Sequence, residues 1–435
     1  MGGADAWRLP RPGRTATLPQ GARRRRGGAQ SGGPSMAALS ARTVLLRRRG
    51  GGAERSPVTN IELFFDLVFA FAITQVSHSL LTHLSLLGAL HAALLFVAVW
   101  WVWIDTSWVT NWLDPDRTPV RMLLFALMLA GLVLSASLPE AFGERGLAFA
   151  GAYVFMQVGR SLFMLWALHR HDRGNFRNFQ RITVWMAGAG VFWLLGGVLD
   201  GAPRFGLWLL ALTLEFGSPA IGFHVPGLGR STTADWTIDG GHLAERCSAF
   251  ILIALGESIT VTGASFFELT WTATAATAFV AAFVGSVALW WIYFDIGAER
   301  ASRIIALSDD PGRLGRIAYT YILAVLAAGI VVSAVGDELT LAHPTAPVGG
   351  AAAAVLLGGP LLALAGNIAF KRVTAGRVPL SHLVGLAILA ALLPCLPWLN
   401  LLRLDAASAA ALVVVATWER MSLGAAGREA PAVRR

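Results

Sequence analysis

The sequence is short of the residues that staple or solubilise a small folded domain. Cysteine occurs only at Cys247 and Cys395, both in apolar stretches, which excludes a disulfide framework and gives no metal-ligand spacing. Lysine occurs once, at Lys371. Charged residues make up 14%, against about 25% in a typical soluble domain. The motifs of soluble enzymes are also missing. There is no His-Glu-x-x-His, no phosphate loop, no nucleophile elbow and no dinucleotide fingerprint. No catalytic residue, cofactor or metal is expected.

What is present is apolar. Hydrophobic residues make up 55% of the 435, gathered in repeated stretches of about 20. This pattern predicts an all-α, polytopic integral membrane protein, with the lipid bilayer as its first partner. The net charge of +9 is local: residues 1–56 hold twelve Arg against Asp5 and Glu54, so the remainder is close to neutral. Attraction to an anionic leaflet explains that distribution better than nucleic-acid binding, which is not expected. The Arg-, Gly-, Ser- and Pro-rich stretch 1–56 predicts a disordered cytoplasmic tail, or a start extended upstream of Met36. No apolar run follows its Arg clusters at signal-peptide length.

Twelve membrane helices are predicted near 60–81, 87–110, 120–138, 147–168, 181–199, 205–223, 242–264, 273–295, 316–335, 350–370, 381–401 and 405–418. Basic loops follow the second, fourth, eighth and tenth spans, on the side that carries both Arg-bearing ends. The positive-inside rule then puts both termini in the cytoplasm, in an inner, or plasma, membrane. The halves repeat. Trp100-Trp-Val-Trp-Ile-Asp105 returns as Trp290-Trp-Ile-Tyr-Phe-Asp295, and Ala130-Gly-Leu-Val-Leu-Ser-Ala136 as Ala328-Gly-Ile-Val-Val-Ser-Ala334. Glu62 then pairs with Glu245. The expected organisation is a tail over 1–56, parallel six-helix repeats over 57–225 and 240–420, and a cytoplasmic tail over 421–435. The Trp clusters ending in Asp105 and Asp295 read as interfacial anchors.

Ionisable residues inside such spans are costly and face a bundle interior or a water-filled cavity. The first span carries Glu62 and Asp66, which spacing i, i+4 places on one face. The seventh carries His242, Glu245, Arg246 and Glu257 within one polar sector, Glu257 being the deepest. Arg160 of the fourth span is the candidate partner for Glu257, and Glu215 of the sixth is a further buried acid. His78, His83 and His91 lack the spacing of a metal site. Gly256, Gly263 and the stretch Gly188–Gly197 suit close helix packing.

Glu62-Leu-Phe-Phe-Asp-Leu-Val-Phe69, His242-Leu-Ala-Glu-Arg246 and Leu255-Gly-Glu-Ser258 together resemble the bacterial low temperature requirement A (LtrA) family, over roughly 57–420. The resemblance implies a multipass inner-membrane protein linked by name to growth in the cold, without a settled activity. Phe64–Thr74 also looks like the first-helix signature of a family of lysosomal and bacterial potassium channels. Phe65 in place of Ser, Asn60 in place of Arg and Ala249 opposite Asp66 count against potassium conduction. The expectation is a transporter or channel-like protein moving an ion or small solute along a pathway lined by the first and seventh helices. The rivals are a structural or stress-adaptation role, in which the charges only pack helices, and a lipid-modifying enzyme built on Asp239 and His242. Oligomeric state is left open, a homo-oligomer included.

Overall fold

The computed structural model describes residues 45–47, 58–170, 172–232, 239–295, 304 and 310–429. The described residues are helical, with isolated β-bridges and no strand. In chain order they form α1 (Asn60–Thr82), α2 (Leu86–Trp112), α3 (Thr118–Ser137), α4 (Gly146–Leu168), α5 (Arg173–Val198), α6 (Ala202–Gly217), α7 (Gly240–Glu268), α8 (Ala273–Phe294), α9 (Gly312–Ala342), α10 (Gly350–Ala375), α11 (Leu380–Ala391) and α12 (Leu401–Glu429). Ten of these are long and apolar enough to cross a membrane. The two shorter ones are α6, with 16 residues, and α11, with 12.

Local chemistry sets the ends. Side chains of Ser85, Asp172, Asp239 and Thr272 accept the N–H three residues on and start α2, α5, α7 and α8. Gly376, at φ 65°, closes α10 in the left-handed region. The predicted span 381–401 instead breaks after Ala391 into a 3₁₀ turn, Leu393–Trp398, because Pro394 and Pro397 interrupt the hydrogen-bond ladder. α9 runs on through Gly336-Asp-Glu338, which composition alone reads as a loop. α12 starts at Leu401 and continues to Glu429, into the stretch expected to be a tail. Residues 1–44, most of the expected N-terminal tail, lie outside the described residues.

Many large apolar side chains point outward, among them Leu63, Phe64, Leu67 and Phe71 on α1. A bilayer matches such a surface, but it gives helices little hydrophobic reason to associate, so packing and polar contacts must hold the bundle. α9 and α10 meet along glycines: a Cβ on Gly329 would lie 2.3 Å from the Ala363 nitrogen, and one on Gly366 2.7 Å from that of Leu326. Gly196 and Gly197 of α5 are similarly close to Trp208 and Leu147, as the sequence suggests. A Cβ on Gly188, Gly256 or Gly263 would meet nothing within 4 Å among the described residues, so these are not packing points there.

The Trp cluster of α2 is core. Trp100, Trp101 and Trp103 are at most 1% exposed, and α2 continues past Asp105 to Trp112. The interfacial reading of this cluster is thus corrected. Three indoles are used inside the bundle, Trp100 and Trp108 donating to Thr320 of α9 and Trp103 to Asp66 of α1.

Candidate functional site

Counted from its first residue, α1 carries Glu62 third and Asp66 seventh, while α7 carries His242 third and Arg246 seventh. Spacing of four puts each pair on one helix face, and the two faces meet. Arg246 donates from Nη2 to Asp66 Oδ1 at 2.5 Å, and from Nη1 to Glu62 Oε1 at 3.3 Å and Thr110 Oγ1 at 3.2 Å. His242 Nε2 lies 3.0 Å from Glu62 Oε1. Asn111 Nδ2, which donates to the Asp239 carbonyl at 2.8 Å, lies 3.4 Å from His242 Nδ1, and Arg47 Nη2 lies 3.0 Å from His242 Nε2. Trp103 gives its indole N–H to Asp66 Oδ1 at 2.8 Å. Glu62, Asp66, His242 and Arg246 are all at most 1% exposed.

A fifth member comes from the stretch that composition assigns to the tail. Leu46 pairs with Leu113 in a β-bridge, which brings Arg47 onto the end of α2. Its Nε donates to the Thr110 and Leu113 carbonyls at 3.0 and 2.9 Å, and its Nη2 reaches both Glu62 oxygens at 3.0 Å. Thr59 completes the shell of Glu62 with its N–H at 2.9 Å and hydroxyl at 2.8 Å.

Two carboxylates thus face two guanidiniums. A cation near the start of α7 opposes that helix's dipole, and the acidic pair of α1 offsets the cost. Two atoms of the cluster stay unsatisfied among the described residues: Asp66 Oδ2 and Arg246 Nε are buried without a hydrogen-bond partner there.

The other expected site residues lie elsewhere. Glu245 points outward, its carboxylate accepting the Val58 N–H at 3.3 Å, so its register match with Glu62 passes instead to His242. Arg160 bonds Asp105 at 3.3 Å, Thr106 at 2.8 Å and Gln157, and does not serve Glu257. Glu215 takes the Tyr153 hydroxyl and the Trp193 indole. His91 stacks on Phe142 with ring centres 3.7 Å apart. No group of three His, Cys, Asp or Glu suited to a metal occurs among the described residues.

Beyond the ionic cluster the buried face of α1 turns apolar at Phe69, Ile73 and Val76, all at most 3% exposed. Past that barrier the same two helices open. Thr74, Gln75 and His78 of α1, Ser265 and Glu268 of α7 and Glu338 of α9 line a cavity of about 340 Å³, and a neighbour of about 390 Å³ shares its last three residues. Glu257 sits one turn before Val261 on the cavity-facing stripe of α7. It is half-buried and makes no hydrogen bond or ion pair among the described residues.

Residues 57–417 match the family model described as Bacterial low temperature requirement A protein (LtrA). A relative, Uncharacterized protein RA0937 of Rhizobium meliloti (strain 1021), is 41% identical over 362 residues, covering 83% of this chain and 88% of its own length. No solved structure matches.

Proposed function

The chain belongs to the bacterial low temperature requirement A (LtrA) family, and we propose that it is a transporter or channel-like protein moving an ion or small solute between α1 and α7. One observation carries this reading. The two helices clasp each other through matched acid and base pairs at their N-terminal ends and line open cavities at their C-terminal ends. A bundle held together only by packed charges has no need of the second feature. A pathway closed at one end has both.

In this reading Glu62, Asp66, His242, Arg246 and Arg47 form the closed gate, the apolar stretch at Phe69 and Ile73 seals it, and Glu257 is the ionisable group of the open half. Membrane ionisable groups of this kind mark ion and solute routes in other bundles. The positive-inside rule puts the gate on the cytoplasmic side of a bacterial inner membrane.

We read the architecture as twelve helices in two parallel six-helix repeats. The same pairs pack in both halves: α1–α2 as α7–α8, α1–α3 as α7–α9, α2–α6 as α8–α12. Contacts recur too. Ser135 bonds the Gly131 carbonyl as Ser333 bonds that of Gly329. Arg160 reaches the Val102 carbonyl as Lys371 reaches that of Ile292, 190 residues on. An enzyme reading finds less support, because His242 is engaged by Glu62 and the Asp239 carboxylate caps α7.

A cysteine placed at Ser265, in a background lacking Cys247 and Cys395, tests the pathway. Reaction with a charged thiol reagent should block ion flux in proteoliposomes. Complete labelling with undiminished flux would contradict the route.

A further inference from the structure

A second acidic pair lies outside the α1–α7 cluster. Asp337 of α9 and Asp405 of α12 are 7% and 6% exposed and line one small cavity together. Neither forms an ion pair among the described residues. The cations on neighbouring elements are otherwise placed: Lys371 bonds Glu419 at 2.6 Å, Arg420 lies over Trp291, and Arg403 and His78 are exposed. The nearby acids, Glu257, Glu268 and Glu338, only add negative charge. Two adjacent carboxylates in a membrane interior cannot both stay charged without a counter-ion.

The surroundings are those of a binding site. Asp337, Asp405, Ser286, Ser333 and Ser408 border a small cavity of about 20 Å³. The Ser408 hydroxyl and Asp405 Oδ2 belong to lining residues and have no hydrogen-bond partner among the described residues, and Ser408 is 2% exposed. Pro360 of α10 also lines the cavity; it has no N–H, so the carbonyl of Leu356, which shares the lining, loses its helix donor. The donors are all oxygen, which suits a hard cation. The volume holds about one water-sized guest, room for a bare ion but not for the several waters that Mg²⁺ retains.

We propose that Asp337, Asp405 and Ser408 bind one dehydrated monovalent cation, H⁺ or Na⁺, between α8, α9, α10 and α12. The inference does not rest on transport. Ser258 of α7, next to Glu257, lies 3.3 Å from Ser286 of α8, which lines the same cavity. Occupancy therefore braces α9 and α12 against the helix that carries the open half of the α1–α7 cleft.

The test uses the purified full-length protein in detergent, with choline chloride holding ionic strength constant and no flux measured. For bound Na⁺, wild type should show a saturable rise in melting temperature with NaCl at alkaline pH. For a bound proton, infrared spectroscopy should show a protonated-carboxyl band at neutral pH that disappears on alkalinisation. The response that wild type gives should vanish in Asp337→Asn/Asp405→Asn and weaken several-fold in Ser408→Ala, which keeps both acids and tests the site even where the double variant fails to fold. Neither response in wild type, a response to Ca²⁺ or Mg²⁺ alone, or a response surviving in the folded double variant would overturn the proposal.

Discussion

Replacing Arg246 by Met removes the one cation that touches Asp66 among the described residues. The side chain is wholly buried, and its loss leaves Asp66 with only the Trp103 indole as a charge-stabilising partner. Glu62 fares better, because Arg47 and His242 remain within 3.0 Å. Breaking a buried pair costs about 3–5 kcal/mol, since an uncompensated charge stays behind, and here most of that cost belongs to Asp66. Adding Asp66→Asn removes the stranded charge while keeping an acceptor for Trp103. The double variant should therefore recover about 2 kcal/mol or more of the loss, within the range measured for coupled neighbours. Glu62→Gln in the same background should recover less, since it strands Arg47 instead. Reversible unfolding in mixed detergent micelles, followed by the fluorescence of the 16 Trp residues, measures all four forms of each cycle. Effects of Arg246→Met and Asp66→Asn that add to within about 0.5 kcal/mol would refute the coupling, because that is the behaviour of independent sites.

The glycine seam gives a paired test in the same assay. Gly329→Ala should destabilise by about 1–3 kcal/mol through overpacking against Ala363, while Gly256→Ala, with no close neighbour, should be neutral or stabilise by up to about 1 kcal/mol. Lys371→Met should cost about 1–3 kcal/mol, less than Arg246→Met, because Glu419 retains 16% exposure and can take up water; Glu419→Gln added to it should restore part of the loss. Arg47→Ala should also cost less than Arg246→Met, since Glu62 keeps two buried partners.

The membrane class and ten of the spans follow from apolar run lengths alone, because a bilayer imposes those lengths on a helix. The stripe Glu62–Asp66 was equally readable, since spacing of four defines a face without any tertiary information. Its partners were not. Which residue of α7 meets Glu62 depends on helix register, and a shift of three residues moves the match from Glu245, which points outward, to His242. Arg47 sits in a stretch whose composition reads as disordered, and only the bridge from Leu46 to Leu113 brings it into the cluster. Asp337 was hidden by a misplaced helix end. The run Gly336-Asp-Glu338 looks like a loop, yet α9 continues through it because the apolar Leu339 and Leu341 carry the pattern on. Asp405 fell at the edge of a predicted span, and nothing in either local sequence announces that the two acids meet.

Ion flux through purified protein in liposomes, wild type beside Glu257→Gln under proton, potassium and sodium gradients, tests the pathway between α1 and α7 most directly. The account predicts a flux in wild type that Glu257→Gln abolishes while membrane insertion and the melting temperature are retained. Well-folded wild type that passes none of these ions, or a flux unchanged by Glu257→Gln, would contradict it.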